Sequence, residues 1–141
     1  MEPLAIERLP EQALILVDSA PIIYVLEDHP RFSSRFLPLF EAHAAGRLRF
    51  AVTTITLAEV LTGVFQKAND TLARRYRATF QSWQVVDLDA DIAETAARLR
   101  ASLKLKLPDA IQIASALSIN AAALVTHDRD FSRVKDLPVF H

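Results

Sequence analysis

The sequence predicts an α/β domain built around a mainly parallel sheet, and three observations carry that expectation. Short, continuous apolar runs such as ALILV (Ala13 to Val17) suit strands buried on both faces, as a parallel sheet requires. Between them lie longer stretches whose apolar residues recur at helical spacing. The two kinds alternate along the chain, the mark of strand–helix–strand units.

The elements follow in order. After ALILV, Ile22, Ile23 and Leu26 recur at helical spacing, with Pro21 acceptable in a first turn. Phe32, Phe36 and Phe40 lie one helical turn apart, so RFSSRFLPLFEAHAAG reads as helix. Pro38 is expected to kink or split it, and Gly46 to close it. RFAVTT (Arg49 to Thr54) reads as a second strand, followed by a helix with the stripe Leu57, Val60, Leu61 and Val64. Leu72, Tyr76, Phe80 and Trp83 form another stripe, with Arg74, Arg75 and Arg77 largely off it. QVVDLD is a third strand, and Ile92, Ala96, Leu99 and Leu103 mark a further helix. Pro108 opens PDAIQIASALSIN, apolar almost all round and so a buried helix. AALVT is a fourth strand, and PVF a short fifth.

The totals set bounds. A chain of 141 residues fits one domain over 1–141, with residues 1–12 as an N-terminal extension, read as an extra helix or strand or as a matter of start-codon choice. At 51% apolar it has material for a core. A net charge of -1 points to neither nucleic acid nor membrane, so a nucleic-acid enzyme would need local basic patches. The absence of cysteine excludes disulfides, zinc–thiolate sites and cysteine nucleophiles. The acidic, proline-containing start does not read as a signal peptide, and no apolar run approaches the ~18 residues of a membrane span. A cytoplasmic protein is expected. Gly46 and Gly63 are the only glycines, so neither a Walker A loop nor a GxGxxG turn can be built.

Four acids stand at element ends. Asp18 ends the first strand, Glu59 lies early in the helix after the second, Asp109 opens the buried helix, and Asp128 follows AALVT. Each has a plain reading: Asp18 and Asp128 as helix or turn caps, Asp109 as a first-turn acid favoured by the helix dipole, Glu59 as a surface acid. In an open α/β sheet, however, sites gather at the carboxyl ends of the strands. Four acids meeting there would repel one another, raising their pKa values until protons or cations compensate. Mg²⁺ or Mn²⁺, which take oxygen ligands, would suit them and would orient a water toward a phosphodiester. Ser19 could bond a metal-bound water or a phosphate, and Gly63, one turn past Glu59, leaves open space.

Four stretches carry a resemblance: LVDSAPIIYVLE with Asp18, TTITLAEVLTGV with Glu59, LPDAIQIASAL with Asp109, and LVTHDRDF with Asp128. In that order, across about residues 13 to 140, the chain resembles the PIN domain, most closely the toxin subunits of VapBC toxin–antitoxin systems. The resemblance implies a three-layer α/β/α sandwich and an Mg²⁺- or Mn²⁺-dependent endoribonuclease acting on RNA. It further implies a homodimer and silencing by a small antitoxin protein that approaches the active site. Asp18, Glu59 and Asp109 would be the core acids and Asp128 the fourth, with Asp130 as the alternative in that motif.

Other residues receive plainer readings. His127 is expected as a surface histidine rather than an RNA contact. Tyr76, Phe80 and Trp83 are core by spacing, or else partly an antitoxin groove together with Phe65. Arg74, Arg75 and Arg77 form a solvated face, whereas Arg31, Arg35, Arg129 and Arg133 lie near the acidic end and could meet phosphates. Two other functions compete. A phosphoacceptor receiver domain would carry an acid pair after its first strand and a lysine after its last core strand, but Ser19 follows Asp18 and no such lysine is offered. A PIN-like module that only binds partners would have lost an acid, and all four are present.

Overall fold

The computed structural model describes residues 5–128, 131, 134 and 137–141. Its central strand shows why continuous apolar runs are needed. All five side chains of β1 (Ala13–Val17) are buried. Ala13, Ile15 and Val17 join one apolar cluster, while Leu14 and Leu16 join another. Successive side chains on a strand point to opposite faces, so one strand serves two cores.

The remaining elements are α1 (Ser19–Leu26), α2 (Ser33–Ala44), β2 (Leu48–Thr53), α3 (Thr54–Gln66) and α4 (Asp70–Gln81), then β3 (Gln84–Val86), α5 (Ala90–Leu103), α6 (Leu107–Ser118), β4 (Ala123–Val125) and β5 (Val139–Phe140). The five strands form one all-parallel sheet in the order β3-β2-β1-β4-β5. One core contains Val60, Val64, Tyr76 and Phe80 from α3 and α4 with Ile22 and Phe36 from α1 and α2. The other contains Ile92 and Ala96 from α5 with Ala110, Ile113 and Ala114 from α6. Helices therefore cover both faces, and the expected three-layer α/β/α sandwich is what the chain forms.

Local chemistry starts the helices where the strands stop. The Thr53 hydroxyl accepts from Thr56 N at the head of α3, Asn69 from Leu72 N at α4, and Asp89 from Ile92 N at α5. Every residue from Ala110 to Ala116 is buried, as the apolar-all-round pattern of that helix predicts.

The differences from the sequence reading are local. Pro38 does not split α2, which runs through it for 12 residues. A proline forfeits one backbone bond, and the buried Phe36 and Leu39 hold the helix on either side of it. The third strand stops at Val86, short of the predicted QVVDLD, because Asp89 is already the N-cap of α5. In the described part of the leader, Ile6–Arg8 form a single 3-10 turn. Leu9 is buried, and Arg47 fastens the turn by donating to the carbonyls of Ile6, Leu9 and Pro10. Trp83 is 7% exposed and packs edge-on against Phe50 and Phe80, so it belongs to the core and not to an open groove. Arg129, Asp130 and Arg133 lie outside the described residues.

Candidate active site

The strand order creates a switch point. From β1 the chain builds β2 and β3 on one side, then crosses to lay β4 and β5 on the other. The crevice beyond the carboxyl ends of β1 and β4 is where open parallel sheets place ligands. A cleft of about 340 Å³ opens there, and Asp18, Glu59, Asp109 and Asp128 all line it. The four acids selected from the sequence are thus gathered by the fold.

Asp18 is the most firmly held. Its backbone N–H donates to Val125 O at 2.9 Å, tying the end of β1 to β4. Carboxylate Oδ1 accepts from Ser19 N (2.9 Å) and from Gln112 Nε2 (2.9 Å), and Oδ2 accepts from Thr126 Oγ1 (2.8 Å). Asp18 is therefore the N-cap of α1 and also lines the cleft.

Behind it lies a polar network that sequence reasoning did not single out. Gln112, 2% exposed, also donates to Thr56 Oγ1 (2.8 Å) and accepts from Thr53 Oγ1 (2.6 Å). These partners decide the amide orientation, since the opposite flip would set an oxygen against the Asp18 carboxylate. Thr126, fully buried, accepts from Asp128 N (3.0 Å) while donating to Asp18, so one hydroxyl links two of the acids. The one available signal was a lone glutamine inside AIQIASAL, a polar group that a buried helix must satisfy.

Electrostatics agrees with the gathering. The Glu59 carboxyl is pushed above its ordinary value, first by loss of hydration against the cleft walls, then by the charges of Asp18 and Asp109. Glu59 as a whole residue remains exposed. A Cβ at Gly63 would meet nothing within 4 Å, so the space expected beside Glu59 is open.

One expectation changes. His127 is half-buried, shares a hydrogen bond with Tyr24 (Nδ1 to Oη, 3.0 Å), and meets Tyr24, Phe32 and Phe36 edge-on at ring-centroid distances of 5.3, 4.5 and 5.8 Å. It is a cleft wall rather than a surface histidine, because Phe32 and Phe36 close around it. Arg35 donates from both Nε and Nη2 to the His141 carbonyl, which ties it to the end of β5.

The donors suit a hard divalent cation by type, being carboxylate oxygens gathered on one cleft. Among the described residues, no three or more His, Asp or Glu side chains form a ready-made metal cage. An ion such as Mg²⁺, which keeps several of its waters and takes only one or two carboxylates directly, does not need one.

Comparison with known proteins gives the context. The family model of the PIN domain matches residues 15–137. A toxin–antitoxin complex from Klebsiella pneumoniae is similar at 27% identity and TM-score 0.69, over 87% of this chain and 94% of that one. Two more distant structures share the fold. A VapBC pair from Rickettsia felis bound to promoter DNA has 22% identity and TM-score 0.72, over 89% of this chain and 96% of that one. A sarcin–ricin-loop-cleaving toxin from Mycobacterium tuberculosis has 17% identity and TM-score 0.67, over 84% and 92%. No curated protein matches.

Proposed function

The chain belongs to the PIN-domain family, and from that premise we propose that it is a metal-dependent endoribonuclease and the toxin half of a toxin–antitoxin pair. The observation that carries the reading is the meeting of four acids on one cleft, with Glu59 raised first by lost hydration and then by Asp18 and Asp109. The likeness to a toxin–antitoxin complex supports the partner class. The role places the protein in the cytoplasm, as a homodimer held silent by an antitoxin. No helix among the described residues is long and apolar enough to cross a membrane.

Asp18, Glu59, Asp109 and Asp128 are the residues that would hold Mg²⁺ or Mn²⁺. Such an ion, if bound, would polarise a phosphoryl oxygen and lower the pKa of a water it holds, easing formation of the hydroxide nucleophile. The protein's own contribution is to hold the donors still. Gln112, Ser19 N–H and Thr126 keep the Asp18 carboxylate in one orientation, so little is left to reorganise when substrate arrives.

The test is cleavage of RNA by purified protein with added Mg²⁺ or Mn²⁺, and its loss in chelator. Asp18→Asn keeps the shape and removes the charge. Outer-shell partners of metal sites are worth about 10- to 100-fold, so a ligand is expected to cost about a hundredfold or more. Full cleavage in excess chelator would rule out the metal mechanism. Folded protein that never cuts RNA would leave an interaction module.

A further inference from the structure

We propose that Tyr24 and His127 form the seat for one RNA base beside the cut, and so help set where the enzyme cuts. The inference rests on the ribonuclease reading of the same cleft. These two residues are the aromatic part of its lining; the other described lining residues are Asp18, Glu59, Asp109 and Asp128 with small or polar neighbours and Pro108. A cleft that held only a phosphate and its ion would have no use for an aromatic wall. A nucleotide strand offers flat bases next to every phosphate, and a base stacks on an aromatic surface whatever its identity.

The wall is built to be stiff. The Tyr24–His127 hydrogen bond spans 103 positions of chain and ties α1 to the segment after β4. Phe32 and Phe36 back both rings, at 5.1 and 6.0 Å from Tyr24. The turn carrying Phe32 is itself held, because His29 Nδ1 accepts from Arg31 N and Phe32 N, each at 3.1 Å. Arg31, exposed, lies over the Phe32 ring at 5.2 Å, so the wall continues outward to a cation suited to a flanking phosphate. A surface fixed in advance gives up little entropy when a base lands on it.

The experiment uses the full chain and a short RNA carrying one cut site, remade with a single abasic nucleotide at each position in turn. Stacking of one base is worth about 5- to 150-fold by substitution of the aromatic partner. One abasic position next to the cut should lower kcat/KM of the wild type by that factor, chiefly through KM. His127→Ala should show the same loss on intact RNA, with a changed choice of cut site, and little further loss on that abasic RNA. His127→Phe, which keeps a ring, should recover most of the affinity. The abasic series on wild-type protein stands even if the alanine variant folds poorly. The proposal is overturned if every abasic position costs wild type and folded His127→Ala the same factor. It is overturned equally if His127→Ala changes kcat alone, or leaves RNA cleavage untouched while weakening inhibition by an antitoxin, which would make the wall a protein contact. Wild type that neither binds nor cuts RNA removes the ribonuclease reading and this seat with it; cleavage without any base effect removes the seat alone.

Discussion

A single carboxylate at the end of a buried strand has to be kept still, and Asp18 shows how neutral neighbours do it. Three donors reach its two oxygens, from Ser19 N, Gln112 and Thr126, and fix its orientation. Glu59 is pushed up, first by lost hydration and then by Asp18 and Asp109. The sign follows. A carboxyl raised above 4.5 in the fold adds stability that is fully present below the unfolded value and is lost as pH rises through the folded one. Without metal, Glu59→Gln should therefore melt above wild type at neutral pH and match it near pH 4, and added Mn²⁺ should close the gap at neutral pH by stabilising wild type more. Thermal melts in chelator and in Mn²⁺ decide it; an equal offset at both pH values would mean that the gain is not electrostatic. Asp18, Asp109 and Asp128 were legible in the sequence because each falls at or just past an element end, whereas Glu59, inside α3, was legible only by its spacing after the second strand. Gln112 and Thr126 were not. A neutral polar residue in an apolar run shows that a partner must exist, but not which one. His127 misled for a related reason: the residues that bury it, Phe32 and Phe36, are about 90 positions away in the chain.

At the scale of the element, starts were easier to read than stops. Helix starts announce themselves through Asp, Asn and Thr caps. Stops are usually read from glycine, and this chain has two. Gly46 does close α2, with φ of +78°, its N–H on His43 O and Arg47 N on Ala42 O. The same paired closure ends α1 at Asp28 (His29 N to Tyr24 O), α3 at Ala68 (Asn69 N to Val64 O) and α6 at Asn120 (Ala121 N to Ala116 O), each with a φ near +50°. Asp and Asn tolerate the left-handed conformation because a short polar side chain can bond locally. Alanine has no such compensation. Left-handed backbone costs an ordinary L-residue about 1–2 kcal/mol, and Gly gives back part of that gain through its freer unfolded chain. Ala68→Gly is thus expected to stabilise the protein by up to about 1 kcal/mol, read as a rise of a few degrees in melting temperature. The exposed Ala68 side chain loses no packing, so a fall in melting temperature would mean that the closure at α3 is not strained.

For the whole molecule, periodicity predicted which residues are buried but not which strand lies beside which. The order β3-β2-β1-β4-β5 depends on where the chain crosses over, and no residue encodes that by itself. The same gap affected the expected partner surface, because Trp83 and Phe65 share an aromatic pattern while their exposures are 7% and 52%. What the fold leaves open is a groove of about 300 Å³ lined by Leu57, Leu61, Phe80 and Val85 with Arg77 and Gln81. Arg77 lies over the Phe65 ring at 5.8 Å and so joins Phe65 to the groove. Val85, 40% exposed, sits on the edge strand β3. Helix α3 supplies both Leu57 and Leu61 to the groove and Glu59 to the acidic cleft. A partner seated on the groove would therefore touch the same helix that carries Glu59. The proposed antitoxin is expected to bury an apolar face here. Exposed aromatic residues are the type on which interface energy concentrates, at more than about 1 kcal/mol when truncated. Phe65→Ala combined with Val85→Lys should then weaken antitoxin binding by about tenfold or more, while RNA cleavage by the free protein stays as in wild type. Titration of a co-expressed antitoxin against the folded double variant measures the first, and cleavage without antitoxin measures the second. Unchanged affinity would move the antitoxin to another face and leave the ribonuclease reading standing, since the two substitutions touch none of the four acids.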